Sequence, residues 1–259
     1  MGTIAITGSA SGIGKATRER LEREGHKVIG VDLHDAEVIA DLTTSEGRAG
    51  MVDDVTRASG GALDGLLAGA GVSGRTHASD RVVRLNYFGA VATLAGLRPL
   101  LAKGTHPSAV AISSNAATTQ PGGADPEAVK VCLEGDEERV IEILTDIGWT
   151  SYAVAKLALA RWVRRNAVTS DWVGAGIRLN AIAPGIIVTP MTEAGLDFIL
   201  NMPNWPRPTQ EPGQPEEVAG LVRYLLSEEA RYFVGSFVVM DGGTDAALRP
   251  DDWPNLPPS

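Results

Sequence analysis

Along most of the chain, short runs of β-branched and aliphatic residues alternate with longer stretches whose apolar positions recur at helical spacing. The runs TIAIT (3–7), KVIGVD (27–32), EVIAD (37–41), LDGLLAG (63–69), SAVAIS (108–113), IRLNAIA (177–183) and FVVMD (237–241) predict seven strands. None shows clean polar alternation, the pattern of parallel strands covered by helices on both faces. Between them lie amphipathic stretches such as ATRERLEREG, ending at Gly25, a residue suited to close a helix. The alternation predicts βαβ units, and right-handed crossovers assemble these into one doubly wound parallel α/β sheet with ligands at the carboxyl ends of its strands. A single domain spanning 1–259 is expected.

Three regions break the rhythm. PEAVKVCLEGDEERVIEILTDIG (126–148) reads as two short helices around Gly135, inside an insertion of about 116–148. Acids cluster at the start of its second helix, where the helix dipole favours them. The connection of about 186–215 carries six prolines around the apolar segment GLDFILNM, a length and composition that suit a lid. The tail RPDDWPNLPPS reads as disordered or, through Trp253, as partly docked.

Composition narrows the partners. A net charge of −9 argues against nucleic acid and anionic membranes, and no stretch is long enough to span a bilayer. MGTIAITG has no basic n-region or long apolar run, and Ile6 stands where a myristoylation pattern wants Ser or Thr. One cysteine, Cys132, allows no intramolecular disulfide and reads as core. A cytoplasmic protein is expected. His26, His77 and His106 lack partners at metal-ligand spacing, so no metal is expected.

TGSASGIG (7–14) follows the first strand and opens the first helix. Gly8, Gly12 and Gly14, with Ser11 and Ile13 between and beside them, allow a tight turn, close approach to a pyrophosphate and helix–strand packing. The helix N-terminus adds free N–H groups and positive potential. Asp32 ends the second strand 18 positions after Gly14, placed to accept hydrogen bonds from ribose hydroxyls and to repel a 2′-phosphate. Neither Ser11 nor Leu33 supplies the cation that NADP would want, so a Rossmann-type fold binding NAD is expected. Asp41 and Leu42 flank the adenine on this reading; alternatively Asp41 is an acid beside a helix start.

Tyr152 and Lys156 stand one helical turn apart, so an ammonium beside the phenol would lower its pKa for proton transfer near neutrality. With these motifs in order, the chain resembles the short-chain dehydrogenase/reductase family. TGSASGIG is similar to its TGxxxGxG turn, SYAVAK to its Yx3K, AISS to its fifth-strand serine, RLNYFG to the helix with its asparagine, and RLNAIAPG to its proline–glycine turn. GHKVIGVDLHDAEVIADLTTSEGR, VRLNYFGA and DGGTDAALRP resemble bacterial members acting on hydroxysteroids and carbonyls.

The resemblance implies catalytic roles. Tyr152 exchanges a proton with the substrate oxygen, Lys156 lowers its pKa and bonds the nicotinamide ribose, and Ser114 (alternatively Ser113) positions that oxygen. Asn86 holds a water of the proton relay or, alternatively, satisfies a kinked helix. Pro184, Gly185 and Ile187 border the nicotinamide, and Thr189 reaches its carboxamide or the pyrophosphate. Where the family shows Asn-Asn-Ala-Gly, this chain has Ala68, Gly69, Ala70 and Gly71; Ala70 and Gly71 still allow close approach to the cofactor, but the asparagine's bonds to the sheet are lost.

The lid's Met191, Leu196, Phe198, Ile199, Met202 and Trp205 suit a flat, apolar ligand. The expected activity is NAD-dependent interconversion of a secondary alcohol and a ketone on such a substrate, a hydroxysteroid by resemblance. An NADPH-dependent ketoreductase and a silent NAD-sensing regulator are the alternatives. Ser114 and Tyr152 are 38 positions apart, where the family gap is about a dozen. In the family, the helices around Asn86 and Tyr152 pair subunits into tetramers. An acidic hairpin leaving there should obstruct that pairing, and a homodimer through Glu216–Leu226 and Phe237–Asp241 is expected.

Overall fold

The sheet has the order β3-β2-β1-β4-β5-β6-β7, with every pairing parallel. This is the computed structural model of the chain, and it describes residues 1–252 apart from 121, 145–147, 194 and 204. Trp253 and the rest of the tail therefore lie outside the described residues, as does the end of the insertion. The strands are β1 (Thr3–Thr7), β2 (Lys27–Asp32), β3 (Val38–Ile39), β4 (Gly65–Ala68), β5 (Ser108–Ile112), β6 (Arg178–Pro184) and β7 (Phe237–Met240). All seven fall within the apolar runs or one residue beyond them. Every residue of β4, β5 and β6 is buried, as uninterrupted apolar runs require when helices cover both faces.

Strand β3 is shorter than the expected 37–41. The Glu37 carboxylate accepts the Gly30 N–H at 2.8 Å and so takes the donor that a longer edge strand would have used. Helix α1 (Gly12–Arg23) follows β1, and α2 (Ser45–Ser59) follows β3. The chain then returns to β4 on the other side of β1, and that reversal opens a crevice above the carboxyl ends of the strands.

Beyond β4, helix α3 (Ser79–Val83) runs through a π-helical turn (Arg84–Gly89) into α4 (Ala90–Leu101). Short α5 (Ala116–Thr119) follows β5. The insertion forms α6 (Pro126–Glu134) and α7 (Glu137–Ile143), capped by the Asp125 and Asp136 carboxylates and joined at Gly135 with φ +86°. The two expected helices are present, and they do not stand off the body. Ala128, Val129, Val131, Cys132, Val140 and Leu144 are buried in the larger core cluster beside Tyr87 and Leu159, with α6 on α8 (Gly148–Ala167) and α7 on α3.

The lid holds α9 (Pro190–Glu193) and α10 (Leu196–Leu200), its base closed by an isolated bridge between Ile187 and Gly213. Helix α11 (Pro215–Leu226) packs on α1 over the second core cluster, and α12 (Thr244–Leu248) follows β7.

Candidate active site

The glycine-rich turn leaves bare backbone at the floor of the crevice. Gly8 and Gly12 take φ +75° and +50°, and a Cβ on Gly14 would stand 2.0 Å from the Gly8 carbonyl oxygen. Only glycine fits the third place, because helix α1 presses directly on the turn. A Cβ on Gly12 would meet Thr189 at 3.1 Å, so Thr189 overhangs the turn from the lid.

Asp32 accepts from Ala10 N at 2.9 Å and from Leu33 N at 2.8 Å, which fixes the carboxylate against the turn. Gly8, Ser11, Gly12, Ile13, Gly14, Asp32, Leu33, Asp41, Leu42, Ala70, Gly71, Pro184, Gly185, Ile187 and Thr189 all line one cleft with Ser114, Tyr152 and Lys156. That arrangement fits a dinucleotide: a side-chain-free cradle at a helix start, with a carboxylate at the end of the adjacent strand. Thr43, Arg81 and Leu85 also line the cleft, and no spacing rule marked them. The Asp41 carboxyl is held below its usual range, first by the Thr43 hydroxyl and amide and also by the charges of Arg81 and Arg48.

Without an asparagine at this place, the ends of β1 and β4 are still joined by a side chain. Thr7 Oγ1 accepts from Gly69 N at 3.1 Å and from Ala70 N at 3.3 Å, joining the ends of β1 and β4. Gly71 matters for a different reason: a Cβ there would meet Asn86 Oδ1 at 2.9 Å and Lys156 Nζ at 3.6 Å. Asn86 is fully buried in the π-helical turn. Its Oδ1 accepts from Val72 N at 2.8 Å and its Nδ2 donates to Val72 O at 2.9 Å. The amide thus pins the loop after β4 to the helix.

Strand β5 ends in two serines with separate partners. Ser113 Oγ donates to the Lys156 carbonyl at 2.8 Å, whereas Ser114 is hydrogen-bonded through its side chain to Tyr152. Lys156 Nζ donates to the Ile112 carbonyl at 2.8 Å and lies 5.7 Å from the centroid of the Tyr152 ring. Burial pulls the Lys156 ammonium down to about 8. The expected fall in the Tyr152 pKa is not what the structure shows: burial raises it, and the Ser114 hydrogen bond opposes that rise. The insertion leaves after Ser114 and returns before Tyr152 without separating them, because Ser113 N bonds Ile182 O and Asn115 N bonds Pro184 O, fixing the end of β5 to β6.

Beside the cleft lies a cavity of about 560 Å³, within the range of small-molecule sites (~300–1,000 Å³). Ser114 and Tyr152 stand in the wall that the cleft and the cavity share. Met191, Phe198, Ile199, Met202 and Trp205 face the cavity as the lid reading expects, and Leu196 does not. Arg75 also lines it, its guanidinium 4.3 Å from the Phe198 ring centroid, an arrangement that joins the loop after β4 to the lid. Cys132 is far from this chemistry in kind: it is buried, and its thiol is pushed up to about 12 by burial.

Two family models and several known proteins match the chain. The short chain dehydrogenase family model matches residues 2–126, and the enoyl-(acyl carrier protein) reductase model matches residues 144–245. The chain is 40% identical over 258 residues to the 3-alpha-hydroxysteroid dehydrogenase/carbonyl reductase of Comamonas testosteroni, covering 96% of this chain and 99% of that one. The 3-alpha-hydroxysteroid dehydrogenase of Pseudomonas sp. B-0831, solved in complex with NADH, is 42% identical with a TM-score of 0.90, covering 96% of this chain and 99% of that one. A 3-oxoacyl acyl-carrier-protein reductase of Thermotoga maritima is 29% identical, covering 92% of this chain and 95% of that one.

Proposed function

The chain belongs to the short-chain dehydrogenase family, and from that premise we propose that it interconverts a secondary alcohol and a ketone with NAD, on a hydrophobic substrate of the hydroxysteroid class. The observation that carries this reading is the hydrogen-bonded pair Ser114 and Tyr152 at the wall between a glycine-floored cleft and an apolar cavity. A carbinol held in the cavity meets both hydroxyls on one side and the cleft on the other.

NAD, when bound, supplies the hydride chemistry at its nicotinamide ring. The chain's residues orient the substrate and move the proton. Tyr152 takes the alcohol proton in oxidation and returns it in reduction, and Ser114 positions the same oxygen. Lys156, anchored by the Ile112 carbonyl, keeps a positive charge near the phenol and faces the cleft, where a ribose would lie. In this reading Asn86 serves the proton relay, with its amide spent on Val72 and its main chain in the π-helical turn. Asp32 favours NAD through ribose hydroxyls, with Gly8, Gly12 and Gly14 under the pyrophosphate.

Incubation with NAD and a panel of hydroxysteroids, following reduced nicotinamide by absorbance, should show turnover that Tyr152→Phe abolishes. Tight NAD binding with no turnover of any panel member would reject the substrate class. A second reading, an NADPH-dependent ketoreductase, is favoured by Arg81 at the cleft near Asp41; higher kcat/KM with NADPH than with NADH would decide for it.

The hairpin lies over α3 and α8, the helices through which relatives are expected to pair, and this supports a homodimer using α11 and β7 instead. Light scattering giving a tetramer would reject it. A cytoplasmic location fits the single reduced cysteine; among the described residues no helix is long and apolar enough to cross a membrane.

A further inference from the structure

The insertion reaches the cleft through one buried arginine. Arg48 lies in the first turn of α2, where the helix dipole disfavours a cation, yet its side chain is only 12% exposed. Its guanidinium is held by Glu137 of α7, 89 positions away, through Nη1–Oε2 at 2.6 Å and Nη2–Oε1 at 2.9 Å. The remaining donors go to main-chain carbonyls: Nε to Leu42 at 2.8 Å, Nη2 to Arg84 at 2.8 Å and to Thr43 at 3.4 Å. Glu137 also accepts from Arg84 Nη1 at 2.8 Å, so one carboxylate orients two arginines.

Those carbonyls are functional in position. Leu42 and Thr43 line the cleft at the β2–β3 edge, beside Asp32 and on the other side of β1 from Ser114. Arg84 begins the π-helical turn whose Gly89 packs on Leu42, where a Cβ would meet the Leu42 carbonyl oxygen at 3.1 Å. Arg48 hydrogen-bonds both Glu137 of α7 and the carbonyls of the Leu42–Thr43 turn, and so bridges the two. An arginine has five N–H donors in a rigid fork, and the bidentate carboxylate fixes the plane in which the fork meets the two carbonyls.

We propose that Glu137 is a positioning residue for the nucleotide: through Arg48 it holds the Leu42–Thr43 turn in the conformation that receives the adenine half of the cofactor. The insertion is thereby a support of the cofactor site as well as a covering of α3 and α8. The proposal rests on the dinucleotide reading of the cleft, and not on the identity of the alcohol.

The test is calorimetric titration of NAD and of ADP-ribose into the full-length protein and its Glu137→Gln variant, alongside steady-state kinetics. Glutamine keeps the shape and removes the charge. NAD and ADP-ribose should each bind roughly tenfold more weakly, the span of contacts within one hydrogen-bond network. The KM for NAD should rise in parallel, with kcat at saturating NAD and the KM for the alcohol changing less than about twofold, a split that general destabilisation would not produce. Arg48→Lys, which keeps the charge and loses the fork, should reproduce the loss. Glu138→Gln, which breaks only an exposed pair with Arg84, should bind as the parent does. Binding of both ligands by Glu137→Gln within twofold of the parent, or equal losses in kcat and in the alcohol KM, would overturn the proposal. A parent protein that binds no NAD would reject the nucleotide reading itself.

Discussion

Ser113 Oγ bonds the carbonyl of Lys156 at 2.8 Å, while the next residue, Ser114, bonds the side chain of Tyr152. Both partners lie on α8, one turn apart, so Ser113 ties the end of β5 to the helix main chain while Ser114 meets the Tyr152 side chain at the cavity wall. Ser113→Ala should lower stability by about 1 kcal/mol with little change in kcat. Ser114→Ala, which also frees the Ala116 N–H, should lower kcat roughly a hundredfold with a stability loss no larger than that of Ser113→Ala. Thermal melts and kinetics on the two variants check the division.

Tyr152→Phe removes the proton carrier and keeps the ring. Turnover should fall by at least about a hundredfold in either direction, with NAD affinity by calorimetry close to that of the parent. Residual activity near the parent's would reject Tyr152 as the proton-transfer group.

Burial holds the Tyr152 phenol above its ordinary range, so at neutral pH it carries its proton. Alcohol oxidation needs a proton acceptor, and its kcat/KM should climb with pH through the alkaline range. Ketone reduction needs the donor, so it should stay level where oxidation climbs and fall only above the raised pKa of the phenol. Rate profiles measured in both directions at constant ionic strength would reveal the difference.

Lys156 titrates at about 8 in the folded chain against an ordinary 10.5, so the unfolded chain binds more protons between those values. The buried ammonium therefore destabilises the fold fully below about pH 8, and that penalty fades as pH rises toward 10.5. Lys156→Met should be more stable than the parent at pH 7, by up to about 3 kcal/mol, and the difference should narrow by pH 10. Denaturant melts at the two pH values measure it.

Asp32→Asn keeps an acceptor for Ala10 N and removes the charge that repels a 2′-phosphate. The preference for NAD over NADP should fall by about a hundredfold, the size expected from relieving one like-charge contact. Equal discrimination by the parent and Asp32→Asn would place cofactor selection elsewhere in the cleft.

Thr7→Val is close to isosteric and removes the acceptor shared by Gly69 N and Ala70 N. Two amides lose their partner, so stability should drop by about 1–3 kcal/mol, read in a urea melt.

Local chemistry by itself determined the seven strands, the glycine turn, Asp32 and the Tyr152–Lys156 pair. Each depends on period, on backbone freedom or on one helical turn, all of which are written in neighbouring residues. The two helices of the insertion were legible for the same reason, through Pro126, Gly135 and their apolar spacing. Their destination was not. Only the tertiary structure decided that Val129 and Val140 are core, that Arg48 meets Glu137 across 89 positions, and that Ser114 rather than Ser113 faces Tyr152. It also placed Arg75 against Phe198 and the Thr7 hydroxyl under Gly69 N and Ala70 N. The physical reason is that side-chain fork geometry, burial and the direction of adjacent residues depend on what packs opposite, and those partners come from distant parts of the chain. The insertion shows the difference most clearly: it reads as an acidic hairpin, yet its Glu137 carboxylate is 20% exposed and holds Arg48 under the Leu42–Thr43 turn.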